Sequence, residues 1–190
     1  MPKSIPFIKT LPELLKALQP IKAGDVDAFS RILSSTRLSR ESIQKYCFFR
    51  KEGYTRNLVI RTEHYELLVL CWDVGQYSPI HNHQSQNCWM YVVDGILAET
   101  LYSVSELVED RVQLKQLKKT QSDPGGFFYI NDEMGLHRVS NGGTVQAISL
   151  HLYSFPFDTC NIYSEDSGVV TQRVLQYYSV DGKKLETVKI

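Results

Sequence analysis

Short segments rich in β-branched and aromatic residues, separated by turn residues, occupy the chain from Tyr54 almost to its end. This pattern is typical of an all-β sandwich or barrel, because each segment buries alternate side chains and then meets a turn. We predict strands over residues 55–61, 65–72, 87–93, 96–104, 126–130, 136–139, 145–153 and 170–178. Asp94-Gly95 and Asp181-Gly182 are expected hairpin turns, and the charged stretch 106–120 is expected to be a solvated strand pair or loop.

The first 46 residues have helical periodicity instead. Two sets of apolar residues each share one face of a predicted helix: Leu11, Leu14, Leu15 and Leu18, and then Val26, Phe29, Ile32 and Leu33. Asp25 has the position of an N-cap for the second helix, as Ser39 or Ser42 has for a third. We therefore expect a single domain over residues 1–190, with two or three short helices in an N-terminal layer (1–46) and a β core (54–178).

The charge and the cysteines exclude several classes of protein. Lys plus Arg number 21, as do Asp plus Glu, so no net field attracts nucleic acid or an anionic membrane. No segment has the length of a signal peptide's apolar region or of a membrane span, and the four cysteines form no C-x-x-C pair. We expect a cytoplasmic monomer without a nucleic-acid or membrane partner.

Histidine is scarce in this chain, yet four of the five histidines fall in the strand-rich region. His81 and His83 are two residues apart, and residues i and i+2 of an extended strand point to the same face. Both imidazoles are therefore expected to reach one metal ion. Trp72, Leu70 and Met134 are candidates for the wall of a pocket beside them, although simple core packing is the expected role of each.

The spacing around these histidines resembles the two cupin motifs. The first comprises Gly75, His81, His83, Cys88 and Gly95, with cysteine where that motif has glutamate. The second comprises Gly126, His137 and Asn141. In this second motif, Asp132 and Met134 replace the usual proline and glycine. The resemblance implies a mainly β, cupin-type small barrel of jelly-roll form, with His137 as the third metal ligand.

The segment Ile148-Ser149-Leu150-His151-Leu152-Tyr153 alternates strictly between polar and apolar residues. Its polar members, Ser149, His151 and Tyr153, therefore share one face of a strand. Buried polar groups need hydrogen-bond partners, and these three are able to satisfy one another as a relay.

Together these segments resemble the cysteine dioxygenase family. The similarity spans about residues 45–165 and is carried by five segments: 54–58 (Tyr-Thr-Arg-Asn-Leu), 80–83 (Ile-His-Asn-His), 135–139 (Gly-Leu-His-Arg-Val), 149–154 (Ser-Leu-His-Leu-Tyr-Ser) and 156–160 (Pro-Phe-Asp-Thr-Cys). The resemblance implies an enzyme that oxidises L-cysteine with dioxygen to cysteine sulfinic acid. Its metal is Fe(II), held by His81, His83 and His137, to which cysteine binds through its thiolate and amine.

The resemblance also assigns roles beside the iron. Ser149, His151 and Tyr153 form the catalytic relay, and Cys88 is expected to form a thioether bond with Tyr153. Arg56, with the Tyr54 hydroxyl, is expected to bind the substrate carboxylate, for which a planar guanidinium is well suited. Phe155 stands before Pro156 where a second proline is usual, which argues against a cis peptide after Ser154.

Three alternatives remain open. One is a dioxygenase for another small thiol, 3-mercaptopropionate or cysteamine; related mercaptopropionate enzymes usually carry glutamine in place of Arg56. A second is a zinc-binding cupin that polarises water, although no carboxylate base accompanies the ligands. The third is a non-catalytic cupin, which would leave the relay of Ser149, His151 and Tyr153 without a purpose.

Overall fold

In the part of the chain that the structure describes, thirteen strands lie in two sheets. The computed structural model describes residues 7–108 and 111–186. The strands are β1 (Thr55–Arg61), β2 (Tyr65–Trp72), β3 (Ile80–His81), β4 (Asn87–Asp94), β5 (Leu97–Val108), β6 (Arg111–Ser122), β7 (Phe127–Ile130), β8 (Leu136–Asn141), β9 (Ala147–Ser154), β10 (Thr159–Tyr163), β11 (Val170–Val174), β12 (Ser179–Val180) and β13 (Lys183–Lys184).

The two sheets pack against each other as a sandwich. One has the order β13-β12-β1-β2-β9-β4-β7, and the other has the order β11-β10-β3-β8-β5-β6. Strands β1 and β12 run parallel, whereas the strands from β2 through β9 to β4 pair antiparallel. The predicted mainly β, cupin-type fold is confirmed, with the strands arranged as two facing sheets rather than as one closed barrel.

Helices cover the outer face of the seven-stranded sheet. They are α1 (Leu11–Leu18), α2 (Val26–Ser34) and a 3₁₀ helix (Glu41–Tyr46). The predicted cap of α2 is confirmed, since the Asp25 side chain accepts a hydrogen bond from Ala28 N at 3.0 Å. The predicted serine cap of the third helix is wrong, because Arg40 precedes that helix without a capping bond and Ser42 Oγ instead accepts from Leu11 N.

The centre of the seven-stranded sheet is buried on both faces. Alternate residues of β2 point in opposite directions: Leu67, Val69 and Cys71 join the helices in one apolar core, and Leu68, Leu70 and Trp72 join a second core between the sheets. Every residue of β2 and of β9 is therefore buried. The polar residues of β9 that share a face with the second core lie between the sheets.

The strand pattern predicted some elements more closely than others. The bounds of β1 and β2 agree at both ends. In the charged stretch 106–120, residues 106–108 and 111–120 belong to the paired strands β5 and β6, and residues 109–110 lie outside the described part of the chain. The last predicted strand, 170–178, ends already at Val174, and the short strands β3, β10, β12 and β13 were not predicted.

The two expected hairpin turns have different outcomes. Asp181-Gly182 joins the paired strands β12 and β13, and both residues have positive φ, of 46° and 72°. The expectation for Asp94-Gly95 is wrong, because β4 and β5 belong to different sheets and the turn carries the chain from one to the other. Gly95 still needs φ of 72° there, and a Cβ atom would lie 2.6 Å from the Gln146 carbonyl oxygen.

Among the residues that the structure describes, none of the helices has the length and apolar character required to span a bilayer.

Candidate metal centre and active site

Three histidine side chains converge between the sheets. His81 ends β3, His137 lies opposite it on β8, and His83 follows two residues after His81. Candidate ligand atoms of the three rings all lie within 4.8 Å of one another, and the Nε2 atoms of His81 and His137 are 3.3 Å apart. Nitrogens that bind one metal at about 2.1 Å lie at most about 4.2 Å apart. Small ring movements are therefore enough to close the three rings around a metal ion.

His83 faces the same cluster as His81, as the sequence predicted, but it does not lie in an extended strand. Strand β3 ends at His81, and the chain turns at Gln84 and Ser85, which have positive φ of 52° and 62°. The Asp132 carboxylate holds this turn, because it accepts hydrogen bonds from His83 N and Ser85 N, both at 2.7 Å. A carboxylate from the loop between β7 and β8, rather than strand periodicity, thus directs His83 inward.

Two of the three imidazoles have a partner behind them. His81 Nδ1 lies 2.9 Å from the Pro79 carbonyl oxygen, and His137 Nδ1 lies 2.8 Å from Glu99 Oε1. An Nδ1–H donated to these acceptors leaves each Nε2 unprotonated and facing the cluster. Glu99 thus contacts a ring from behind and does not face the metal position as a general base would.

His83 is the residue that tests whether a metal fits. Its ring is fully buried, and among the described residues neither ring nitrogen has a hydrogen-bond partner. The closest carboxylate oxygen, Asp132 Oδ1, is 3.8 Å from Nδ1, beyond hydrogen-bond distance. An unpartnered buried imidazole is costly, and a metal ion bound to His83 would remove that cost. The residues therefore fit a metal.

Burial keeps the cluster uncharged in the absence of metal. Desolvation lowers the pKa of His83 and of His137 well below the usual value, and the neighbouring imidazoles lower it further. The pKa of His81 is lowered by the same cause. Neutral imidazole is the form that binds metal ions, so no proton has to leave before binding.

The predicted relay on β9 is present in the structure. Ser149 Oγ lies 3.0 Å from His151 Nε2, and His151 Nδ1 lies 3.3 Å from the Tyr153 hydroxyl. Trp72, which sequence reasoning assigned only to the core or the pocket wall, donates its Nε1–H to Ser149 Oγ at 3.0 Å. Desolvation lowers the pKa of His151 to about 3, so its imidazole is neutral.

Cys88 and Tyr153 occupy opposing positions on the neighbouring strands β4 and β9. Opposing side chains share one face of a sheet, with Cβ atoms about 4.5–5.5 Å apart. Burial raises the pKa of the Cys88 thiol well above its usual value, and a hydrogen bond to Tyr153 opposes that rise. The structure thus brings together a neutral thiol and the phenol to which sequence reasoning assigned a bond.

Arg56 and Tyr54 reach the same region from the start of β1. The Arg56 side chain is buried, and its Nη1 has no hydrogen-bond partner among the residues described. Its Nη2 lies 3.9 Å from Glu66 Oε2. The Tyr54 ring stacks on Trp72 with centroids 4.5 Å apart. An unpaired guanidinium nitrogen of this kind is ready to bind an anion.

A cavity lies beside some of these groups. It has about 530 Å³ of empty space, part of it open to solvent, and Tyr54, Arg56, His81, His151 and Tyr153 contribute to its wall. Of the three candidates for the wall, Leu70 and Trp72 line it, whereas Met134 is 44% exposed and is not part of the lining, so its assignment to the wall is wrong.

The match to known proteins agrees with this geometry. Residues 3–166 match the family described as cysteine dioxygenase type I. The chain belongs to the cysteine dioxygenase family. Cysteine dioxygenase type 1 of Rattus norvegicus is 34% identical over 92% of this chain and 88% of its own length, and that of Homo sapiens is 33% identical over the same shares. A structure of KdgF from Halomonas sp. covers 58% of this chain and 86% of its own at 20% identity, with a TM-score of 0.45.

Membership of the cysteine dioxygenase family makes this chain an oxygenase enzyme that oxidises L-cysteine with dioxygen. The three-histidine cluster supplies the metal site that the activity needs. Neither the non-catalytic cupin nor the zinc-binding cupin is favoured, since the family match supports neither.

Sequence reasoning missed three carboxylates of this cysteine dioxygenase. Glu99 lies behind His137, Asp132 holds the turn after His83, and Glu66 lies beside Arg56. The alternation in β2 contained a signal for Glu66, because that residue shares a strand face with Leu70 and Trp72, which were candidates for the pocket wall. No local pattern pointed to Glu99, which is 38 positions from His137.

Proposed function

We propose that His81, His83 and His137 bind Fe(II), and that the enzyme oxidises L-cysteine to cysteine sulfinic acid beside them. The proposal rests mainly on one observation: candidate ligand atoms of three neutral imidazoles lie within 4.8 Å of one another, and one of these, His81, lines a cavity whose wall also contains Arg56. Ferrous iron, when bound there, supplies open coordination positions and the redox chemistry through which dioxygen reacts with a thiolate.

Arg56 and Tyr54 are proposed to bind the substrate carboxylate. Arg56 Nη1 is buried without a partner among the described residues, and a carboxylate in the cavity would pair with it. The Tyr54 hydroxyl is a second donor on the same wall. This contact fixes which end of cysteine faces the histidines, and it favours thiols that carry a carboxylate over cysteamine.

The relay is proposed to set the direction of the Tyr153 hydroxyl proton. Trp72 Nε1 is only a donor, so the Ser149 proton is available to His151 Nε2. Neutral His151 then carries its single N–H on Nδ1 and donates it to the Tyr153 oxygen. The Tyr153 proton is therefore left to be donated to the reacting molecules in the cavity.

A thioether bond between Cys88 and Tyr153 is the proposed modification of the site. It would form from the Cys88 S–H and a ring C–H beside the Tyr153 hydroxyl, with dioxygen accepting the two electrons and two protons released. The opposing positions of the two residues on β4 and β9 support this proposal.

None of the four cysteines forms a disulfide in the structure. This agrees with the proposal that the enzyme acts in the reducing cytoplasm.

The test is oxygen uptake by the protein after anaerobic loading with Fe(II) and, separately, with Zn(II). We expect consumption of dioxygen that depends on L-cysteine and on iron, with cysteine sulfinate as the product by mass spectrometry. Parallel assays with 3-mercaptopropionate and cysteamine decide between the thiols. An iron-loaded protein that oxidises either of these faster than L-cysteine would overturn the choice of substrate, and activity with zinc would overturn the choice of metal.

A further inference from the structure

Glu66 is a fully buried carboxylate that the catalytic groups named so far do not use. It lies at the start of β2, paired across the sheet with Tyr153 on β9, so its side chain points between the sheets. It is not part of the cavity lining, whereas Arg56 is. Any influence of Glu66 on the substrate therefore passes through a neighbouring residue.

The two carboxylate oxygens of Glu66 have different surroundings. Oε1 accepts a hydrogen bond from the Tyr177 hydroxyl and lies 3.6 Å from Arg61 Nη1. Oε2 lies 3.9 Å from Arg56 Nη2 and, within the described part of the chain, has no hydrogen-bond partner. One carboxylate thus lies between two guanidinium groups, and its otherwise unpaired oxygen faces Arg56.

Tyr177 fixes this arrangement from the C-terminal part of the chain. Its hydroxyl accepts from Arg61 Nη1 at 2.7 Å while it donates to Glu66, and its ring lies 5.7 Å from the Arg56 guanidinium carbon. Burial and the hydrogen bond to Glu66 raise the pKa of Tyr177 to about 12, so the hydroxyl keeps its proton and remains a donor. Arg56 therefore has a carboxylate on one side and an aromatic ring within cation–π distance.

We infer that Glu66 is the positioning residue for Arg56: it attracts Nη2 from behind and thereby directs the unpaired Nη1 to the substrate carboxylate. The inference rests on the proposed role of Arg56. Without the carboxylate, Arg56 and Arg61 would repel each other, and the Arg56 guanidinium would lose its fixed orientation. Glu66 would then set the preference of the enzyme for thiols that carry a carboxylate.

The experiment compares Glu66→Gln with the wild type, both as full-length, iron-loaded protein. Oxygen uptake gives kcat and KM for L-cysteine, and cysteamine is measured as a substrate or as a competitor. We expect KM for L-cysteine to rise about tenfold, the size expected for loss of one charged contact, with kcat nearly unchanged. Cysteamine has no carboxylate, so its constants should stay within about twofold of the wild type.

Asp158→Asn is the matched control. Asp158 pairs with Arg61 at 2.7 Å, so this variant also removes a carboxylate from the cluster but leaves the contact between Glu66 and Arg56. We expect its KM for L-cysteine to equal that of the wild type. An equal rise in both variants would mean that negative charge in general, and not the position of Arg56, controls binding, and would overturn the inference.

Arg56→Gln separates the inference from the proposed function on which it rests. We expect this variant to lose the preference for L-cysteine, and the double variant with Glu66→Gln to be no worse. If Arg56→Gln keeps the preference, the role of Arg56 is wrong. If it loses the preference while Glu66→Gln has an unchanged or lowered KM for L-cysteine, only the role of Glu66 is wrong.

Tyr177→Phe is a second test of the same inference, for the case in which Glu66→Gln lowers the iron content or the folded fraction. The variant keeps the buried carboxylate and removes only the hydroxyl that holds Oε1. KM for L-cysteine should rise in the same direction by a smaller factor, again without a change for cysteamine. A KM for L-cysteine equal to that of the wild type in this variant would contradict the inference.

Discussion

Replacing Glu99 by glutamine tests the proposed metal centre without touching a ligand. Glu99 Oε1 lies 2.8 Å from His137 Nδ1 in a buried environment. Burial raises the pKa of Glu99 to about 7, and an Nδ1–H donated by His137 stabilises the charged carboxylate. The amide of glutamine has nearly the same shape but carries no charge.

The magnitude follows from the kind of hydrogen bond that is lost. A hydrogen bond to a charged group contributes about 1.5–3 kcal/mol, and one between neutral groups contributes about 0.5–1.5 kcal/mol. The midpoints of these two ranges differ by about 1.2 kcal/mol, which corresponds to a change of about eightfold in affinity. Loss of such a partner behind a ligand typically weakens metal binding by about 10–100-fold. We therefore expect Glu99→Gln to bind Fe(II) at least about tenfold more weakly than the wild type.

The assay is anaerobic competition for Fe(II) against a chelator of known affinity, repeated with Co(II), so that the result does not depend on turnover. Glu165→Gln is the matched control. Glu165 pairs with Arg138 at 3.1 Å on the surface, and Arg138 directly follows His137 in the sequence. A metal affinity of Glu99→Gln within twofold of the wild type would refute the reasoning. So would an equal loss in Glu165→Gln.

Three further predictions concern the relay, the modification and a turn. Tyr153→Phe should lower kcat for L-cysteine by about 10²–10⁴-fold, as loss of a positioned proton donor does, while the iron content measured by elemental analysis stays that of the wild type. Peptide mass spectrometry of the enzyme after turnover should find Cys88 and Tyr153 joined with the loss of two hydrogens, and finding only the separate peptides would contradict the bond. Gly95→Ala should lower the free energy of unfolding by about 2–3 kcal/mol in a denaturant titration, because φ is 72° and the added Cβ would lie 2.6 Å from the Gln146 carbonyl oxygen. Gly125→Ala, with φ of 92° but open space around the Cβ position, should lose only about 1 kcal/mol, and equal losses would argue against the steric part.

Local patterns in the sequence were enough for much of the fold. Alternation with a period of two identified β2 and the polar face of β9, because that period follows from the extended backbone itself. Three of the strands that were missed, β3, β12 and β13, have two residues each, too few for a period to appear. The fourth, β10, has five residues and was missed as well. The turn at Asp94-Gly95 was identified as a turn, but local chemistry does not say whether the strands on either side pair with each other.

In the candidate site, too, local sequence patterns identified some residues and tertiary contacts were needed to find the others. Spacing within short segments of the sequence pointed to the three histidines and to the polar face of β9, and the resemblance to the cysteine dioxygenases pointed to Arg56. Only the tertiary structure decided which buried side chains contact these residues from the side away from the cavity. Glu99 meets His137 across 38 positions, and Tyr177 meets Glu66 across 111. Such pairs depend on which strands become neighbours, and that is settled by burial of the whole chain rather than by any local preference.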